Sequence, residues 1–366
     1  MKTIYTLLFS LLIIALPLRA SHILGGEIQA IQLNNQNYKI VVKLAMDQIN
    51  GASAINAENS VLVCFGDGQT GTLLATNSYT ATDDAGVIFK TFEGEHEYTS
   101  PGNYQISVQR ENRVDGILNL PEGDQNTLFL WTILNTQMAN STPQFPDLKT
   151  TAGLRQNFKQ ALAPIATEAD SLSYRIVKIS KASPGTCGVR MINHSYSYPN
   201  DVSKEGLFYI DRSNQLVWTA PTMEGRYLYA IVAKEWREGV VISETYREAT
   251  LTVVDGPGEV VDIPPYQPVD ANLVVAGDSN PEVEIDVLAY PNPSDDHIRV
   301  VVTSRDKLNI KIQVLNTSGQ AVKQYSTSSP AFSIEKDFSL KAYGPGLYLI
   351  NVSTSLGSQT KKIVIK

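Results

Sequence analysis

Almost nowhere in this chain do apolar residues recur at helical spacing, which argues against a helix bundle or a doubly wound α/β protein. Cysteine is scarce: Cys64 and Cys187 are the only two. An exported chain can pair them, but each falls in a different module, which points to two buried free thiols. Basic residues are outnumbered, 30 Lys and Arg against 37 Asp and Glu, with a net charge of −7 and a pI near 5.2. No basic patch offsets phosphate charge, so a nucleic-acid partner is not expected. Beyond the N-terminus no run is long and apolar enough to span a bilayer, so no transmembrane segment is expected in the mature chain. A metalloprotease helix, a nucleophile elbow, a phosphate loop and a paired-carboxylate motif are all missing. The chain therefore reads as a non-enzyme, although carboxylates that meet only in space stay invisible at this level.

What is present begins with a leader. Lys2 gives a positive start, Ile4 to Leu16 an apolar core, and Pro17-Leu18-Arg19-Ala20 a cleavage region. This predicts a signal peptide over 1–20 and an exported product, with no cofactor required. Hydrophobic residues make up 43%, enough for packed domains. Short alternating runs then recur with turn residues between them: Tyr38 to Met46, Ser60 to Phe65, Val87 to Phe92, Gly102 to Val108, Leu128 to Leu134, Leu207 to Ile210, Leu216 to Trp218, Arg226 to Ala233, Val240 to Thr245 and Ala249 to Val254. The spacing predicts an all-β fold of tandem immunoglobulin-like sandwiches. One short helix is expected over Leu154 to Leu162, stopped by Pro164.

Two boundaries are readable. Residues 255–286 hold eight acids and five prolines and no Lys or Arg. Proline stiffness and like-charge repulsion predict an extended tether reaching roughly 90 Å. A softer boundary falls at Asn140-Ser141-Thr142-Pro143. The expected order is therefore a sandwich over 21–139, a second over 140–254, an acidic Pro-rich linker over 255–286 and a small C-terminal β-sandwich over 287–366.

In the first module, Phe65-Gly66-Asp67-Gly68, His96-Glu97-Tyr98 and Pro101-Gly102-Asn103-Tyr104 resemble the PKD-type immunoglobulin-like domain. Asp67 reads as a turn former whose carboxylate bonds the turn backbone, ahead of an acid–base or metal pair with His96. The stretch "SHILGGEI" resembles the opening of a family of Bacteroidetes surface proteins associated with gliding motility. His22 within it is a lone histidine near the mature N-terminus.

In the second module, Leu216, Trp218, Pro221, Gly225, Tyr227, Glu235, Arg237, Gly239, Tyr246 and Arg247 resemble the second half of the same surface family. "ATEADSLSYRI" is similar to a cadherin-like segment in which carboxylates hold calcium. Only Glu168 and Asp170 remain of that set, short of the six to eight oxygens calcium takes, so a loop–strand junction is the first expectation. Asp170-Ser171-Leu172 also resembles a short O-glycosylation signal. Residues 181–205 read as a long surface loop carrying Cys187, His194, Tyr196 and Tyr198; the cysteine and histidine invite a nucleophile–base reading without a third group to orient them. Tyr196, Tyr198 and Trp236 are the candidate ligand contacts, with a packed loop as the plainer alternative, while Trp131 and Trp218 sit in apolar alternation and read as core.

The last eighty residues carry four ordered motifs. They are Tyr290-Pro291-Asn292-Pro293, Val314 to Val322 around Gly319, Gly346-Leu347-Tyr348, and the basic run Lys361-Lys362-Ile363-Val364-Ile365-Lys366. Together they resemble the type A C-terminal sorting domain of the type IX secretion system. That resemblance implies passage of the outer membrane through a dedicated translocon, a sorting peptidase that removes the domain, and a product secreted or held at the cell surface. The expected activity is adhesion or surface structure. The alternative is carbohydrate binding or an accessory hydrolytic role, with a surface glycan or protein as ligand. A third reading has the first two modules form one rigid tandem that merely presents a partner site, which a tight apolar interface between them would support.

Overall fold

Apolar alternation becomes strand almost wherever it occurs. The computed structural model describes residues 22–122, 125, 127–238, 240–270, 285–290, 292–355 and 357–366. The expected signal peptide, Pro291, Gly239 and residues 271–284 of the linker lie outside them. The first module is built from β1 (Ile23–Asn34), β2 (Asn37–Asp47), α1 (Gln48–Ala57), β3 (Ser60–Cys64), β4 (Thr70–Thr80), β5 (Val87–Glu97), β6 (Asn103–Arg110) and β7 (Leu128–Asn135). Helix α1 begins where the Asp47 carboxylate accepts from the backbone N–H groups of Ile49 and Asn50, satisfying donors the first turn leaves open.

The second module comprises β8 (Thr151–Gly153), β9 (Phe158–Ala161), β10 (Ser171–Val177), β11 (Ser180–Ala182), β12 (Arg190–Ile192), α2 (Pro199–Ser203), β13 (Leu207–Ile210), β14 (Gln215–Thr219), β15 (Gly225–Arg237) and β16 (Val240–Val254). The helix expected over 154–162 is a turn followed by β9, which pairs with β14. Phe158 and Gln160 are buried while Lys159 and Ala161 are exposed, the alternation of a strand.

The all-β tandem is as expected, and its two modules share a sheet. One sheet runs β1-β2-β5-β4-β3-β6-β7 and continues through β16, β15 and β10. Strand β16 offers one edge to three partners in turn: β7 at Ser243–Thr245, β1 at Glu248 and Ala249, and β8 at Thr252–Val254. The soft boundary near Asn140 is bound to β1, with Thr142 N–H to the Ala30 carbonyl at 2.8 Å and Ala30 N–H to Thr142 Oγ1 at 2.9 Å. The apolar core of the first module accordingly takes in Ile179, Tyr196, Leu228, Ala230, Val232 and Tyr246 from the second. The first module is thus closed by strands of the second.

The C-terminal module holds β17 (Ile285–Tyr290), β18 (His297–Leu308), β19 (Lys311–Leu315), β20 (Ala321–Ser326), β21 (Ala331–Ser339), β22 (Gly346–Thr354) and β23 (Gly357–Ile365). They form two sheets, β17-β18-β21 and β20-β19-β22-β23, a seven-stranded form of the small β-sandwich expected. Its core, from Ile285 to Ile365, is a cluster of its own that shares no residue with the other two.

Candidate functional site

The C-terminal motifs meet in space. Asn292, whose peptide bond to Pro293 is cis, is buried, and its side chain grips the final strand at two points. It donates to the Lys362 carbonyl at 2.9 Å and accepts from Val364 N–H at 2.8 Å. Ser294 continues the pairing, donating N–H to the Val364 carbonyl at 2.9 Å and accepting from Lys366 N–H at 2.8 Å. The start of the domain is therefore zipped to its end. Gly319, at φ +80°, closes a turn in which Asn316 Oδ1 accepts from the backbone of Ser318 and Gln320. Gly346, at φ +152°, opens β22. Tyr348 points into the core and donates its hydroxyl to the Tyr343 and Gly344 carbonyls, both at 2.9 Å. Tyr290 is half-buried, and burial raises its hydroxyl pKa, with Arg299 opposing. Most motif residues thus shape the fold. Lys361 and Lys362 instead stand exposed on β23, the edge strand of its sheet, where charge both deters stray pairing and is available to a partner.

The passenger side holds the larger departures from expectation. Cys64 and Cys187, 123 positions apart in sequence, form a disulfide with Cα atoms 5.7 Å apart. Cys64 ends β3 and Cys187 lies in the loop after β11, so the bond ties the two modules covalently; the thiols are not free. His194 is exposed and has no thiolate to serve, which removes the nucleophile–base reading. Tyr196 is 1% exposed and donates to the Leu228 carbonyl at 3.0 Å, so it is core, not a contact residue. Tyr198 is half-buried against both cores. Trp236 is half-buried with Nε1 donating to Ser173 Oγ at 3.0 Å. The three proposed contacts therefore present no shared exposed aromatic face. Trp131 and Trp218 are buried, as expected.

Asp67 does form its turn, accepting from Gln69 N–H at 3.0 Å, and it also meets His96 Nε2 at 2.8 Å. Burial works to raise the Asp67 pKa, but the His96 and Gln69 hydrogen bonds hold it below the usual carboxylate value. The His96 ring stacks on Phe65 with centroids 3.8 Å apart, so the pair is packed into the glycine turn. Glu168 and Asp170 are both exposed. Each faces the β15–β16 hairpin, Glu168 at 3.7 Å from Arg237 and Asp170 accepting from Glu238 N–H at 2.8 Å. Ser171 of the candidate glycosylation triplet begins β10 opposite Trp236.

The opening "SHILGGEI" explains itself structurally. A Cβ on Gly25 would lie 2.0 Å from the Glu248 carbonyl oxygen, and one on Gly26 2.4 Å from that of Lys43. Only glycine lets β1 pass between β2 and β16. Glu27, next in line, is paired with the wholly buried Arg247 and with Lys43 at 2.8 Å. Burial would raise the Glu27 pKa, and Arg247 and Lys43 outweigh it, so the pKa is lowered. A second buried pair, Arg113 with Glu248 at 2.6 Å, crosses the same seam, and Tyr246 donates its hydroxyl to Glu248. The Glu27–Arg247 and Arg113–Glu248 pairs join residues 220 and 135 positions apart, so no local spacing marks them.

A cleft of about 270 Å³ lies where the C-terminal module meets the disulfide face, between Cys64, Cys187, Gly66 and Gln105 on one side and Tyr290, His297 and Arg299 on the other.

Residues 288–366 match the family described as secretion system C-terminal sorting domain. The protein is thus exported by the type IX route and is secreted or attached at the cell surface, and its sorting domain engages that machinery. No curated protein matches the chain. Among solved structures it is similar to one titled "Biofilm associated protein - BSP domain", at 10% identity over 94% of this chain and 81% of that one, with a TM-score of 0.20. A score of that size does not define a common fold.

Proposed function

We propose that residues 22–254 are a non-catalytic passenger, a PKD-like and a cadherin- or immunoglobulin-like module fused into one stiff body for adhesion or surface structure at the outer membrane. The observation that carries this reading is the joint between them: a shared sheet, a bridging disulfide and buried ion pairs suit a part that bears load and does not flex. The sorting domain delivers it, after a signal peptide has taken it across the inner membrane, and a sorting peptidase then frees or anchors it.

The test replaces residues 22–254 by an inert folded domain while keeping leader, linker and tail. Cells exporting the replacement lose attachment or surface-layer order under this reading. Unchanged attachment and layer, with hydrolysis of a glycan panel by the purified wild-type protein, favours the alternative of an accessory hydrolase.

A further inference from the structure

The acidic, proline-rich stretch does not leave the passenger at residue 255. Residues 256–269 lie along the second module. Gln156 donates its side-chain amide to the Gly256 carbonyl at 2.9 Å, and Val261 N–H reaches the Arg155 carbonyl at 3.0 Å. Gly206 N–H then donates to the Pro264 carbonyl at 3.1 Å, and Gln267 N–H to the Gly206 carbonyl at 3.4 Å. Asn200, fully buried on α2, donates to the Gln267 carbonyl at 2.8 Å. The half-buried side chains of the second part of this strap come in pairs three apart, Val261 with Pro264 and Tyr266 with Val269.

One side chain is read in detail. The Tyr266 hydroxyl donates to Asp201 at 2.5 Å, and the Lys204 ammonium lies 4.8 Å from the Tyr266 ring centroid. Lys204 also pairs with Asp201 at 3.2 Å. Val269 packs on the apolar core of the second module. The body thus holds an extended peptide by backbone bonds, by a charged pair that receives the peptide's tyrosine, and by an apolar anchor point.

We infer that α2 and the Lys204–Gly206 turn, with the Arg155 loop, form a binding site for an extended proline-rich peptide carrying a tyrosine, filled in this structure by the chain's own residues 256–269. The site stands on these contacts, independently of how the passenger functions. Being tethered, the strap acts at an effective concentration in the millimolar range, so it excludes free peptides of comparable affinity. The tether that separates passenger from sorting domain is correspondingly shorter than the whole acidic stretch.

The experiment uses the full-length protein and a fluorescein-labelled synthetic peptide of residues 256–270. Wild type should take up no label at concentrations that saturate a Tyr266→Ala, Val269→Ser double variant. Tyr266→Phe, which removes one hydroxyl only, should admit the peptide at intermediate concentration. Adding Asp201→Asn to the double variant should weaken peptide binding about tenfold, the scale of a hydrogen bond to a charged group. Hydrogen exchange on wild type should show protected amides at Gly206 and Val261. A strap-weakened protein that ignores the peptide overturns the proposal, as does equal uptake by wild type or an unprotected Gly206 amide.

Discussion

Replacing Cys64 and Cys187 by alanine is the most informative perturbation of the passenger. The bond closes a loop of 123 residues. In the chain-entropy treatment that loop restricts the unfolded chain by about 5 kcal/mol at 25 °C, with native disulfides commonly measured at about 2–5 kcal/mol. The folded state should change little, because Cys64 ends a strand already held by β4 and β6 and Cys187 is exposed. The loss should therefore appear as lower stability with the same architecture. The assay is chaotrope unfolding of the oxidised protein, the reduced protein and the double variant, followed by intrinsic tryptophan fluorescence. Trp131 and Trp218 lie in the two different cores, so one probe reports on both. A single shared passenger transition is expected, displaced by about 2–5 kcal/mol. A shift below about 1 kcal/mol, or two transitions in the oxidised protein, refutes the claim that the bond ties one cooperative body.

Other expectations follow from buried charge and from the clamp. Glu248→Gln leaves the buried Arg113 guanidinium without its counter-charge and should cost about 3–5 kcal/mol in the same unfolding assay; a cost under 1 kcal/mol contradicts the assignment. Glu235 is buried and has its pKa raised first by desolvation, against hydrogen bonds from Ser243, Thr167 and Asn140. Because the folded pKa lies above the unfolded one, this group disfavours folding as pH climbs past about 4.5. Glu235→Gln should remove that decline, seen as a flatter dependence of melting temperature on pH above 4.5, and an unaltered slope argues against it. Asn292→Ala should lower the stability of the sorting domain by about 1–3 kcal/mol, because it strands the Lys362 carbonyl and the Val364 N–H; hydrogen exchange at Val364 should rise, and unchanged exchange contradicts the clamp.

What the sequence disclosed depended on distance. Runs such as Leu207 to Ile210 became strands because alternation is a local property, and the sorting domain was legible because its four motifs stand in order within eighty residues. The threonine-rich β4 escaped notice, since most of its residues are exposed and no apolar alternation marks it. Strand β16 was read as two pieces because Glu244, Arg247 and Glu248 break its apolar pattern, and the burial of Arg247 and Glu248 makes sense only beside Glu27 and Arg113. The disulfide had the same difficulty, as its two halves come from different modules. Tyr196 looked like a loop residue until the first module's core was seen to extend across the joint. The acidic stretch was recognised by composition, but composition does not show which neighbour accepts a proline-rich strand.

The sorting domain has its own core, and that separateness is tested most directly by deleting Ala289–Lys366 and fractionating cells. The truncated chain should accumulate folded in the periplasm with its disulfide formed, and none should reach the surface or medium. Truncated protein found outside the outer membrane at wild-type levels would contradict the account.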